Sequence, residues 1–259
     1  MPIVTLLTDF GLDDTYVGQV KGAILSLAPS TTLVDLTHAV PRQDVLAGAF
    51  LIWSGVEPFR AGTIHLAVVD PGVGSNRRAI AIRSSRGDVF VGPDNGLLWP
   101  AVERLGGCRA AVELTRSAYW RTPFQEGVSS TFHGRDIFGP VAAHLAADVP
   151  LERLGPAVEQ VQRSFALQAP NGLNGQVLHV DTYGNLVTNL AAQNLPPGLQ
   201  VRVGEHIAPW AAHYAAVEPG ALLVLVGSAG LLEVSARNAS AATITGATRG
   251  TPVSIVVRN

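Results

Sequence analysis

The sequence predicts an α/β fold: an N-terminal, mostly parallel sheet flanked by helices, then a smaller C-terminal all-β, barrel-like domain. Three observations predict it. Over the first 165 residues, short apolar β-type runs alternate with helix-period stretches, the pattern of a parallel sheet covered on both faces. From about residue 170 the helical periodicity gives way to short strand-like runs punctuated by glycine, proline and asparagine. With 259 residues, 47% hydrophobic and 15% charged, the chain can fill a large core and a small one. The expected domains are residues 1–165 and 170–259, joined through the turn-rich "LQAPNGLNG".

"IVTLL" is the first strand and "TYVGQVKGAILSLA" the first helix, with Val17, Val20, Ile24 and Leu27 at helical spacing. "TLVDL" then leads into the helical "DVLAGAFLIWSG", and "TIHLAVVD", "AIAIRS" and "DVFVG" add strands. "RDIFGPVAAHLAADV" reads as a further helix. In the second domain the strands are "QVLHVD", "LQVRVG", "ALLVLVG", "LLEVSA" and "PVSIVV". Neither region shows an internal repeat or a low-complexity tract.

Composition excludes several functions. The formal charge is -2 and no lysine or arginine cluster appears, which argues against nucleic acid as the main partner. Cys108 is the single cysteine, so there is no disulfide framework and no thiolate metal site. "MPIVTLLTDF" has no basic leader, and Asp9 interrupts its apolar run too early for a signal peptide. The most apolar stretch, "VLAGAFLIWSGV", has 12 residues and is too short to span a bilayer. A cytoplasmic protein with no membrane partner is expected.

Ligands of such sheets collect beyond the carboxyl ends of the strands, so polar clusters there come first. In "TDFGLDDTYVG", Asp9 ends the first strand, where a carboxylate can accept two hydroxyl hydrogen bonds, as a ribose diol offers. Asp13 or Asp14 could cap the helix that follows; for Asp14 a capping and a ligand role stand level. "HLAVVDPGVGSNRRAIAI" lacks the lysine of a phosphate-binding loop, and a β-type run follows it where a dinucleotide fingerprint needs a helix. A hairpin-like turn set by Pro71 and Gly72 explains the glycines. It does not explain Asp70 at a strand end with Arg77 shortly after, where a turn can fold the guanidinium back onto the carboxylate.

In "STFHGRDIFGPVAAHL", His133 precedes a helix whose dipole favours the neutral ring, leaving a nitrogen free to accept a proton. A lone histidine is more often structural, and His144 is assigned to packing or the surface. "VDTYGNLVTNL" reads by itself as a β-turn between two strands, and "SAGLLEV" as a turn with a solvated glutamate.

Taken in order, "TDFG", "VVDPGVGS" with its arginine, "GPDNGLL", "FHGRDIF", "DTYGN" and "SAGLLEV" form a specific set. Along nearly the whole chain they resemble the S-adenosyl-L-methionine (SAM) hydroxide adenosyltransferase family, SAM hydrolases related to fluorinases and chlorinases. The resemblance implies a homotrimer with sites between the N-domain of one subunit and the C-domain of its neighbour. It implies Asp70, Arg77 and His133 as the catalytic set, Asp9 on the ribose and Asp13 on the methionine amine. Asn185, Ser228 and Glu233 become contacts to the adenosyl or methionine parts, assisted by Tyr183 and Asp181.

The implied reaction is attack of water or hydroxide at C5′ of SAM, giving adenosine and L-methionine with no cofactor and no metal. Halogenating relatives carry an aromatic hydroxyl where Asp70 stands and lack the histidine, so the pattern here is the water-using one. Three rivals remain: a halide-using adenosyltransferase, a non-catalytic adenosyl-ligand sensor, and a metal-dependent hydrolase built on Asp9, Asp13 and Asp14.

Overall fold

The computed structural model describes residues 1–121, 127–163, 167, 172–193 and 195–257. The chain divides into two units, Met1–Phe165 and Ala166–Asn259. Part of the turn-rich "LQAPNGLNG" lies outside the described residues.

The first unit opens with β1 (Ile3–Thr8), α1 (Tyr16–Leu27), β2 (Thr32–Thr37), α2 (Val45–Gly55) and β3 (Ile64–Val68). It continues through β4 (Ala79–Ser84), β5 (Val89–Pro93), α3 (Trp99–Arg104), β6 (Cys108–Glu113) and α4 (Gly139–Ala146). The sheet order is β2-β1-β3-β5-β4-β6. β1 pairs parallel with β2 and β3, and β3 with β5; β4 runs antiparallel to β5 and β6. Every residue of β3 and of β5 is buried, which is why these strands read as continuous apolar runs.

Helices pack on the sheet in two separate core clusters. Val20 and Ile24 of α1 join Val141 of α4 in one, while Ile52 of α2 joins Val102 of α3 in the other. In α1, Val17, Val20 and Ile24 are buried, whereas Leu27, the last residue of the helix, stays 47% exposed. The helix expected over "RDIFGPVAAHLAADV" is shorter than its sequence suggests. Gly134–Phe138 form one wide π-turn, in which Gly139 donates its N–H to the Gly134 carbonyl. α4 then starts with Pro140 in its first turn, because proline has no N–H to continue the preceding ladder.

The second unit contains β7 (Asn174–Val180), β8 (Leu186–Ala191), β9 (Leu199–Val203), β10 (His206–Pro209) and β11 (Leu222–Val226). β12 (Leu231–Ala236), α5 (Ala241–Thr245) and β13 (Pro252–Val257) complete it. All pairings in the order β10-β9-β13-β7-β8-β12-β11 are antiparallel. The two ends of that order meet: Trp210 bridges Val224, and the Ala211 N–H donates to the Val224 carbonyl at 2.9 Å. The sheet therefore almost closes into a barrel around Val177, Leu186, Val201, Val224 and Leu232.

Candidate active site

Asp70 stands just past the carboxyl end of β3, and the Asn95 amide holds the preceding Val69 carbonyl at 2.9 Å. The Val73 N–H donates back to the Asp70 carbonyl at 3.2 Å. This bend does not make a hairpin, because β4 pairs with β5 and not with β3. The chain instead crosses the end of β5 on its way to β4. Gly74 makes the crossing possible: its φ is +77°, and a Cβ there would sit 2.2 Å from the Ser130 carbonyl oxygen. The loop is thereby pressed against the backbone that leads to His133.

That contact assembles a three-residue cluster. Arg77 Nε donates to both Asp70 oxygens at 3.0 Å, and Nη2 also donates to Oδ2. The same Nη2 lies 2.8 Å from His133 Nδ1. The Asp70 and Arg77 side chains are 5% and 11% exposed, so the pairing is well shielded from solvent. A guanidinium N–H only donates, so Nδ1 accepts and the neutral ring carries its hydrogen on Nε2. Burial first, and the Arg77 charge second, hold the His133 pKa below its ordinary 6.5. The ring is neutral as the sequence suggested, but the nitrogen left over is a donor rather than a free acceptor.

Asp9 follows Thr8, the last residue of β1, and its Oδ2 accepts the Gln43 N–H at 2.8 Å. Gln43 has a positive φ of 62°, a strained value for a residue with a side chain. A cavity of about 550 Å³ is lined by Asp9, Asp70 and His133, together with Phe10, Tyr16 and Phe132. Asp13 and Asp14 are exposed and lie outside that lining. Neither caps α1, whose cap position is Thr15 with no side-chain cap bond. Among the described residues, no group of three or more His, Cys, Asp or Glu could hold a metal ion. His144 stacks edge-to-face with Tyr119 at 5.1 Å.

In the second unit, Asp181 locks the turn between β7 and β8. Its Oδ1 accepts the N–H groups of Tyr183 (2.9 Å) and Asn185 (2.8 Å), and its Oδ2 accepts the Asn185 amide (2.9 Å). Gly184 has φ +82°, and a Cβ there would fall 2.1 Å from Ser240 Oγ, so only glycine fits. Glu233 is 8% exposed, not solvated, and its Oε1 accepts the Tyr214 hydroxyl (2.9 Å) and Ser235 Oγ (2.8 Å). Burial and that carboxylate push the Tyr214 pKa up to about 12. Tyr183, Asn185, Tyr214 and Asn238 line a second cavity of about 550 Å³. Ser228 is exposed in the β11–β12 turn and does not line it.

Sequence reasoning missed Gln43, Tyr16, Phe132, Tyr214 and Asn238. Phe132 and Asn238 stand inside or beside motifs already noticed, whereas Tyr214, in "WAAHYAAVEP", carries no local signal.

Residues 4–155 match the SAM hydroxide adenosyltransferase N-terminal domain, and residues 175–254 match the C-terminal domain of the same family. The chain belongs to the SAM hydroxide adenosyltransferase family. A relative within this family, an (R)-S-adenosyl-L-methionine hydrolase from Salinispora tropica, is 44% identical over 96% of this chain and 95% of its own length. A fluorinase from Actinoplanes sp. is 30% identical over 75% of this chain and 73% of its own. Among solved structures, an uncharacterized conserved protein from Thermotoga maritima superposes with a TM-score of 0.89. It is 33% identical, with 98% of this chain and 100% of that one covered.

Proposed function

We propose that this SAM hydroxide adenosyltransferase family member hydrolyses SAM to adenosine and L-methionine. The observation that carries the reading is the Asp70–Arg77–His133 cluster, with Asp70 and His133 lining the same cavity as Asp9. The C5′–S bond breaks with its electron pair going to sulfur, so methionine departs as a neutral thioether and needs no general acid. The difficulty is the nucleophile. Asp70 takes the proton from the attacking water, and the Nε2–H of His133 donates to the oxygen that becomes the 5′-hydroxyl. Arg77 fixes both side chains and offsets the charge that develops on the oxygen. Asp9 accepts the ribose hydroxyls and sets C5′ in line with the water.

Asp13, Asn185, Ser228 and Glu233, with Tyr183 and Asp181 in support, are proposed for the adenosyl and methionine parts. The proposed assembly is a homotrimer in which the β domain of a neighbouring subunit supplies its share, an arrangement the family resemblance supports. No cofactor or metal is assigned a step. Among the described residues no helix is long and apolar enough to cross a membrane, and a cytoplasmic location is proposed on the sequence reading. A carboxylate facing the nucleophile repels a halide, and the 44% identity to a SAM hydrolase exceeds the 30% identity to a fluorinase. Both favour water.

The test is incubation with SAM in isotopically labelled water. Label in the 5′-hydroxyl of adenosine, with equal methionine, supports hydrolysis by attack at C5′. Binding of SAM without either product identifies a sensor, and 5′-halogenated adenosine in chloride or fluoride identifies a halide enzyme.

A further inference from the structure

His38 belongs to none of the motifs that point to the site, yet it is 4% exposed and sits at the carboxyl end of the sheet. The register of the β1–β2 pair explains its position. Leu6 faces Asp35 but Leu7 faces Thr37, so β2 carries one extra residue there and His38 is brought beside Thr8. Its Nδ1 lies 2.8 Å from Thr8 Oγ1, and that hydroxyl also accepts the Phe10 N–H at 3.3 Å. The His38 carbonyl accepts the Gly11 N–H at 2.8 Å. The backbone is thus tied down on both sides of Asp9, once through Thr8 and Phe10 and once through Gly11.

The far side of the imidazole is braced as well. Nε2 lies 3.0 Å from Asp35 Oδ1. Lys21 of α1 holds Asp35 Oδ2 at 2.6 Å. The segment that begins at His38 also returns to Asp9, through the Gln43 N–H on Oδ2 at 2.8 Å.

We propose that His38 is a positioning residue for Asp9: through the Thr8 hydroxyl and the Gly11 N–H it fixes the carboxylate that receives the ribose diol. The inference rests on the reading of Asp9 as the ribose contact. His38 touches no reacting atom, so its work shows in binding rather than in chemistry. A carboxylate with two well-aimed hydrogen bonds loses about tenfold in affinity when its orientation is lost.

The experiment measures adenosine affinity by calorimetry, and KM and kcat with SAM, for His38→Ala, His38→Asn, His38→Gln and Asp9→Asn. Asparagine places its amide where Nδ1 stood and can still reach Thr8; glutamine places it where Nε2 stood. The expected result is about tenfold weaker adenosine binding and a matching rise in KM for His38→Ala, with kcat changing less than KM. His38→Asn restores most of the affinity and His38→Gln does not. In the His38→Ala background, Asp9→Asn should add little further loss, because both changes disable one contact. Equal affinity in the asparagine and glutamine variants, or full additivity with Asp9→Asn, overturns the proposal; the first comparison stands even where the alanine variant does not fold. If Asp9→Asn alone leaves adenosine binding unchanged, the ribose reading of Asp9 fails and this proposal fails with it.

Discussion

Arg77 and His133, separated by 56 positions in sequence, meet at 2.8 Å with the guanidinium donating to Nδ1. This bond selects the tautomer of the histidine and divides the labour of the cluster. In the proposed reaction this leaves Asp70 as the proton acceptor and His133 as a donor.

Replacing Asp70 by alanine should lower kcat by roughly a hundredfold or more, the usual share of a positioned general base. SAM affinity should change far less. His133→Ala should also act on kcat, and His133→Gln, which keeps an N–H donor at the outer end of the side chain, should recover part of the loss. Steady-state kinetics beside calorimetric binding separates the two effects. Wild-type turnover in both alanine variants would defeat the mechanism.

Asp9→Asn preserves shape but removes the charge proposed to take both ribose hydroxyls. Charge-assisted hydrogen bonds are worth roughly 1.5–3 kcal/mol, so SAM and adenosine should each bind about tenfold more weakly. Unchanged adenosine affinity returns Asp9 to a purely structural part, that of holding Gln43.

Activity should fall on the acid side with a midpoint below pH 6.5, because burial and Arg77 both depress the His133 pKa. Protonation there puts a cation against Arg77 and removes the acceptor at Nδ1. Stability follows the same sign. His65, depressed by its burial first of all, binds its proton less readily folded than unfolded. Its stabilising effect is complete above pH 6.5 and is lost as pH falls through the depressed value. Asp88 is held at about 2 by His65 and Arg86 against the opposing effect of burial. Its contribution persists above pH 3.8 and disappears as pH falls through about 2. Urea titrations across this range should show a first loss below about pH 6.5 and a second below about pH 4; a flat profile contradicts both assignments.

Gly74→Ala should be costly for a residue so far out on a loop. The positive φ and the 2.2 Å approach to Ser130 O leave no space for a methyl group, and strain of this kind costs roughly 1–3 kcal/mol. If the loop shifts to relieve it, Arg77 moves off His133 and kcat falls. Thermal melts and turnover together show which cost dominates; no change in either removes the role given to Gly74.

Mixing Asp70→Ala with a variant defective at Asn185 and Ser228 should regenerate activity if sites are shared between subunits. Subunit exchange must be demonstrated with differently tagged wild-type chains. Activity that stays at background after proven exchange places the whole site within one chain.

Much of the fold was legible because buried parallel strands leave unbroken apolar runs, as in "IHLAV" and "VFVGP". β8 was legible only as the second arm of the turn in "DTYGN", since Thr188 and Asn189 interrupt its apolar run. Both are buried, with Thr188 donating to the Leu232 carbonyl and Asn189 accepting the Gln176 N–H. Polar residues that satisfy the backbone inside a barrel look like loop residues in a sequence. β10 has four residues and α3 six, too few to establish a period. In the site, the Asp70–Arg77 pairing was readable from a turn-length spacing. The partnership with His133 depends on a backbone contact between Gly74 and Ser130, which no spacing reveals. Tyr214 reaches Glu233 from a 3₁₀ turn that carries no local signal.

The connection from β3 to β4 strides over the end of β5. Neighbouring strands lie about 4.8 Å apart, so it must span roughly 10 Å and still return Arg77 to Asp70. Such a stretch is locked in length. The turn at Gly87 joins the adjacent strands β4 and β5 and can gain or lose residues without moving the cavity. A single deletion between Asp70 and Arg77 pulls the guanidinium away from the carboxylate, and an insertion lets it swing. Inherited variation should therefore change the identity of exposed Asn76, but not of Ser75, whose hydroxyl ties Gly72 to the Arg77 N–H, while leaving the seven-residue interval intact.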